Sequence, residues 1–192
     1  MLAERLRDLG DRVVREGVTG QDAGTALLLR LRPDDGGSPA GPLRGDGEPV
    51  TDAAVRLVLA LRGSYLPIQG PPGTGKTYTA ALQILELIKA GRTVGITGPS
   101  HAVIHNLISE VTARADELGV IRPRIGQRAG QDKSYLHPDA AGLELGALDS
   151  GLRDGDLDVA AGRSGSGPAS SSRAASTRCS STRRARCHWP TS

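Results

Sequence analysis

Apolar residues follow two alternating periods through most of the chain. Leu2, Leu6, Leu9 and Val13 recur at three- and four-residue spacing between charged residues, which predicts a short amphipathic helix that covers a core edge or docks a partner. Residues 32–49 are rich in Pro, Gly and Asp, and Pro33-Asp34-Asp35-Gly36-Gly37 is their strongest turn signal, so a loop or linker is expected there. Thr51 is positioned to cap a helix from Asp52 to about Leu61, with Ala54, Val55, Val58 and Leu61 on its buried side. A short strand at Tyr65 to Gln69 follows. A helix from about Lys76 to Ala90 presents Ala81, Leu82, Leu85 and Ile88 on one face and ends at Gly91.

The same alternation then repeats. Thr93 to Thr97 reads as a second strand, and Ser100 as the cap of a helix from His101 to about Leu118 whose inner face uses Ile104, Leu107, Ile108 and Val111. A third strand is expected at Val120 to Ile125. Beyond it the signal weakens, with a short helix near Ala140 to Leu148 and a last strand at Leu157 to Ala161. Strands alternating with helices predict an α/β fold with a parallel sheet covered on both faces.

Apolar patterning stops at residue 162. Residues 162–192 contain no Val, Ile, Leu, Met or Phe, and about half of them are Ser or Arg. Such a segment buries too little apolar surface to offset its ordering entropy, so a disordered tail is expected. Three regions result: a helical segment with a Pro/Gly-rich linker over 1–50, an α/β domain over 51–161, and the tail over 162–192. The formal net charge of +3 is concentrated in that tail, which holds six arginines and no acidic residue, whereas the first 161 residues carry a net of −3. A basic arm can neutralise nucleic-acid phosphates, yet basic composition alone names no partner. Both cysteines, Cys179 and Cys187, lie in the tail without zinc-ligand spacing, so neither a disulfide scaffold nor a metal site is supported. No run of 18 apolar residues and no secretion-signal pattern is present, and a cytoplasmic protein with no membrane association is expected.

One segment carries specific chemistry. Gly70-Pro71-Pro72-Gly73-Thr74-Gly75-Lys76-Thr77 matches the nucleotide-binding P-loop pattern, placed after a short strand and before an amphipathic helix. Glycines permit the tight turn whose backbone N–H groups cradle phosphates, and the helix N-terminus adds partial positive charge. Lys76 is then expected to reach the β and γ phosphates and the Thr77 hydroxyl to ligate Mg²⁺, which makes these two the candidate catalytic residues. Gly70, Pro71, Pro72, Gly73, Thr74, Gly75, Lys76, Thr77 and Tyr78 form the candidate ATP-binding set. Hydrolysis also needs an acidic residue at the end of a neighbouring strand. Asp154, Asp156 and Asp158 precede or interrupt the final strand instead of ending one, so binding is favoured over turnover. A small-molecule kinase shares this loop, and Arg122, Arg124 and Arg128 are the available lid-like cluster, with surface solvation as their ordinary role. His137, beside Pro138, reads as a loop residue with no catalytic partner at nearby spacing.

Ile68 to Thr77, followed after a helix by Val94-Gly95-Ile96-Thr97-Gly98-Pro99-Ser100-His101-Ala102-Val103-Ile104-His105-Asn106-Leu107, resembles the first two motifs of superfamily 1 helicases. The likeness is to the senataxin-like and nonsense-mediated-decay branch, and closer still to bacterial members fused to a RecB-like nuclease. It covers roughly Thr51 to Ala161. The resemblance implies a partial RecA-like P-loop NTPase fold and an ATP-dependent motor on single-stranded DNA or RNA. It also implies a possible nuclease domain in the parental polypeptide. Ser100, His101 and Asn106 become candidates for contact with the nucleic-acid backbone. Members of such families contact adenine through a Gln upstream of the P-loop, and this chain has no Gln between Leu31 and Leu66.

The resemblance next calls for a strand ending in Asp-Glu-Ala-Gly-Gln, whereas this chain reads Cys179-Ser180-Ser181-Thr182-Arg183-Arg184-Ala185-Arg186-Cys187. With GC-rich codon choices, the last base of each codon joined to the first two of the next turns Ser180 through Arg186 into Val-Asp-Glu-Ala-Gly-Gln. The tail is therefore compatible with a shifted reading frame beginning after about residue 161. The leading expectation is an ATP-binding fragment of a superfamily 1 helicase, lacking an in-frame acidic motif and the second motor lobe. The alternative is a small intact nucleotide-binding regulatory or interaction protein with a basic tail.

Overall fold

The computed structural model describes residues 2–18, 23–37, 41–130 and 133–163. The first two residues of the expected disordered tail, Gly162 and Arg163, instead close β4 by pairing with Thr97 and Gly98; the rest of it, and with it the shifted-frame motif at 180–186, lies outside the described residues. Six helices and four strands are formed among them: α1 (Leu2–Glu16), α2 (Ala23–Leu28), α3 (Val50–Ala60), α4 (Lys76–Lys89), β1 (Val94–Gly98), α5 (His101–Glu117), β2 (Ile125–Arg128), β3 (Ala140–Leu143), α6 (Leu145–Asp154) and β4 (Val159–Arg163). The strands make one sheet in the order β1-β4-β2-β3, with every neighbouring pair parallel. No described helix is long and apolar enough to cross a membrane.

Strand alternation gives the sheet two unequal faces. Ile96 of β1, Val159 and Ala161 of β4, and Ile125 of β2 point to the face covered by α4 and α5. There they meet Ala81, Ile84 and Leu85 of α4 and Ile104, Ile108, Val111 and Ala115 of α5 in the main core. The opposite face bears α6, whose buried Leu148 packs so closely on β2 that a Cβ added to Gly126 would come within 2.5 Å of it. Helix α3 lies outside α4, tied to it by the buried Gln83, whose Nε2 donates to the Ala54 carbonyl at 2.8 Å.

Several elements depart from the sequence expectation, each for a local reason. Residues 65–69 join no strand ladder. The third strand starts at Ile125, not Val120, because Pro123 has no N–H to give and the Arg124 N–H is taken by the Asp158 carboxylate at 2.8 Å. Residues 140–143 form β3 instead of the first turn of a helix, paired in register with Ile125 to Arg128, and α6 follows from Leu145 to Asp154. The last strand begins at Val159 instead of Leu157. Helix α3 starts two residues earlier than a Thr51 cap requires: its N-cap is Pro49, with no side-chain cap bond. Helix α2, whose Thr25 and Ala26 are buried, had no expectation at all.

Candidate functional site

Topology brings the two candidate motifs to one edge. Because α4 runs back to start β1, its N-terminus lies where β1 ends, and β1 leads at once into α5. In parallel sheets this carboxyl edge is where ligands bind.

Residues 70–77 form a tight loop that feeds α4 directly. Gly75 is the N-cap, in the left-handed region at φ 77°, and Gly73 has φ 81°; both conformations are strained for any residue with a side chain. Gly70 has no room for one either, since a Cβ there would stand 2.5 Å from the Thr74 hydroxyl. That hydroxyl donates to the Pro71 carbonyl at 2.9 Å. The Lys76 ammonium reaches back over the loop and donates to the Gly70 and Pro71 carbonyls, both at 2.6 Å. Thr79 is the first residue of α4 whose N–H bonds back along the chain, to the Gly75 carbonyl at 2.8 Å, which leaves the N–H groups of residues 75–78 at the open end of the helix. The loop thus gathers a cation, a helix N-terminus and a run of solvent-facing donors, the requirement for binding an anion with several oxygens. Thr77 and Tyr78 are exposed beside it.

A groove of about 520 Å³ adjoins this loop, between α3 and residues 66–71. Val50, Ala53, Leu57, Leu66 and Ile68 give it apolar walls, and Arg44 and Lys76 place positive charge at its rim. Its size lies within the range of small-molecule and cofactor sites. The stretch carrying Arg44 is strapped to α3 by Arg56, which bonds both carboxylate oxygens of Glu48 at 2.8 and 2.7 Å and the Leu43 carbonyl at 2.9 Å. Those bonds, with one from the Gly45 N–H, hold the Glu48 carboxyl down to about 2.

The second candidate set is less open than its sequence suggests. Ser100 is a true N-cap of α5, accepting from the Val103 N–H at 3.3 Å. His101 stacks on Tyr135 with ring centroids 3.7 Å apart, and its Nδ1 is buried without a partner. Asn106 is exposed one and a half turns further along. Among the described residues no group of three or more His, Cys, Asp or Glu is arranged to hold a metal ion.

His137 differs from its expected solitary role. It is 6% exposed, its Nε2 lies 2.9 Å from Ser109 Oγ, and its ring centroid is 4.4 Å from that of His105. This constellation with Asp139 looks like a nucleophile triad, but its protons are placed wrongly for one. The Asp139 backbone N–H donates to Nδ1 at 3.0 Å, so in the neutral ring Nε2 carries the hydrogen and donates to Ser109 instead of accepting its proton. Burial first, and then His105, hold the His137 pKa below its usual value, which keeps the ring neutral. The group is a clasp fastening residues 135–139 to α5.

Two of the three arginines expected to be solvated, Arg122 and Arg124, are paired with carboxylates at the surface. Arg122 bonds Asp116 and Asp139, and Arg124 bonds Asp158 through two nitrogens. Asp158 immediately precedes β4, at the sheet's amino edge and away from Lys76.

No family model matches the chain, and no solved structure matches it at a significant level.

Proposed function

We propose that the chain is a nucleoside-triphosphate-binding fragment of a superfamily 1 helicase motor, comprising the beginning of a RecA-like first lobe. The carrying observation is the loop at residues 70–77, where Lys76 and the open N–H groups of residues 75–78 stand at the N-terminus of α4. ATP with Mg²⁺ is the proposed ligand. Lys76 would exchange the Gly70 and Pro71 carbonyls for the ligand's terminal phosphates, and the exposed Thr77 hydroxyl is the group on this chain that suits Mg²⁺. The apolar walls of the adjoining groove would hold the base and offer contact without the Gln that such motors use.

In this reading the carboxyl-edge residues Ser100, His101 and Asn106 belong to the surface along which the intact parent holds single-stranded DNA or RNA. Coupled hydrolysis and movement are properties of that parent, with its acidic motif, its second lobe and any fused nuclease domain. A shift of frame after about residue 161 accounts for the change from apolar patterning to a Ser/Arg tail. The chain therefore binds nucleotide and does not turn it over.

Titration of the full chain with a fluorescent ATP analogue in Mg²⁺ tests this directly. Saturable binding is expected, and Lys76→Ala is expected to weaken it by about tenfold or more, equivalent to about 1.4 kcal/mol. Equal affinity of the two proteins would remove the loop from the site.

A further inference from the structure

What the groove beside the loop can recognise follows from what lines it. Val50, Ala53, Ala54 and Leu57 come from α3, and Leu66 and Ile68 from the segment that enters the loop; all six carry only aliphatic carbon. Such walls reward contact area, and they reward it alike for any two bases of the same area. They reject an isostere only weakly, because strong rejection needs a site that hydrogen-bonds one substituent and leaves its own groups unpaired with another.

Telling adenine from guanine takes a partner fixed as an acceptor for the exocyclic amino group of one or as a donor to the exocyclic oxygen of the other. The polar groups of the groove supply no such reader for adenine. On the α3 side the Ala54 carbonyl is already taken by Gln83 Nε2 at 2.8 Å. On the loop side the Thr74 hydroxyl is turned to the Pro71 carbonyl, and Lys76 reaches over the loop, where phosphates would sit. Gln69 and Thr79 also line the groove, and both are ambivalent: a glutamine amide turns over to present its carbonyl or its NH₂, and a hydroxyl donates or accepts as it rotates. The backbone of residues 66–69, which joins no strand ladder, carries carbonyls as well as N–H groups. Arg44 is exposed at the rim and donates only, so the adenine amino group gains nothing from it, and its bond to the guanine oxygen trades against water.

From these observations we infer that the groove selects by the size of the base and not by its edge, so that the ligand class of the site is the purine nucleoside triphosphates, adenine and guanine alike. The inference rests on the reading of residues 70–77 as a triphosphate-binding loop. A purine exceeds a pyrimidine by a second ring, whose faces add contact on aliphatic walls, and the order of binding follows from that area. ATP and GTP come together, CTP and UTP behind them, and inorganic tripolyphosphate, which has no base, last. At about 520 Å³ the groove has room for either purine.

The test is displacement of a fluorescent ATP analogue from the full chain in Mg²⁺ by ATP, GTP, CTP, UTP and tripolyphosphate. GTP is expected to bind within about threefold of ATP, CTP and UTP more weakly than both by about threefold to tenfold, and tripolyphosphate more weakly than any of the nucleotides. Val50→Ser and Ile68→Ser, at two exposed positions on the groove where folding is not at stake, are together expected to weaken ATP and GTP by one common factor of about threefold or more. A wider gap between ATP and GTP, in either direction, would overturn the inference by revealing a group that reads the base edge. Pyrimidine nucleotides that bind as well as the purines would overturn it too, as would serine variants that bind ATP and GTP as the wild type does, since the base would then lie outside the groove. The function proposed above fails in a different way. If none of the five compounds displaces the analogue, or if all displace it equally well from Lys76→Ala, the loop is no triphosphate site and the inference falls with it; a wrong order among nucleotides whose binding depends on Lys76 rejects the inference alone.

Discussion

Lys76 and His137 show what a single position reveals and what it hides. Lys76 was legible because its whole apparatus is contiguous: the loop that cradles it, the glycines that allow its shape and the helix behind it fall within residues 70–89. His137 was not, because its partners stand far along the chain, Ser109 at 28 positions and Gln127, whose Oε1 accepts from the His137 N–H at 2.9 Å, at 10. Only the fold brings them together. The clasp carries a pH dependence whose sign follows from its lowered pKa. The folded chain favours neutral imidazole, so the stabilisation is fully present above the unfolded value of 6.5 and is lost as pH falls through the lower folded value. Facing His137 are His105 and Ser109 from α5, Gln127 from β2 and Asp139 from its own loop; only Asp139, with an oxygen 3.8 Å from Nδ1, favours the charged ring. Thermal midpoints of the wild-type chain are expected to drop on acidification below 6.5, and those of His137→Gln to drop less. Parallel curves for the two proteins would show that His137 is not the titrating group.

At the scale of elements, helices α4 and α5 were read nearly to the residue because each has an unambiguous apolar stripe and a local start signal. Ser100 is such a signal, and Ser100→Ala is expected to cost about 1 kcal/mol in a urea titration, since the N-cap bond to Val103 is lost. An unchanged midpoint would make Ser100 dispensable to α5 and leave it free for a ligand. The strands were read less well, for a physical reason: a strand is completed by its neighbours. Pro123 and the Arg124–Asp158 bonds decide where β2 begins, and pairing with β2 makes a strand of Ala140 to Leu143, whose small residues give no strand signal. Residues 65–69 have an apolar pattern but no ladder beside them. The strap over α3 was hidden as well, because Arg56 and Glu48 are eight residues apart across a linker and a helix start. Arg56→Ala should leave folding stability nearly unchanged, as exposed ion pairs contribute little. The same change should weaken binding of the ATP analogue by about threefold to tenfold, by freeing the stretch that holds Arg44 at the groove. Unaltered affinity would place the base elsewhere.

For the molecule as a whole, composition and periodicity gave the class, a parallel α/β sheet flanked by helices, and the strand order came only from the structure. That order matters to function. It sets the loop at residues 70–77 and the start of α5 at one carboxyl edge, and it sets Asp158 at the opposite edge, where it cannot serve a metal beside Thr77. ATP hydrolysis by the 192-residue chain is therefore expected to equal that of its Lys76→Ala variant; a rate that depends on Lys76 would mean that an acidic group elsewhere completes the site. The central claim, that this is an interrupted motor lobe, is tested most directly by the base sequence from the codon of Ala161 to well past that of Ser192. The account predicts that one inserted or deleted base restores a strand ending in Val-Asp-Glu-Ala-Gly-Gln and a long helicase-like frame. A sound frame with no such sequence in either alternative would contradict it and leave a small nucleotide-binding protein with a basic tail.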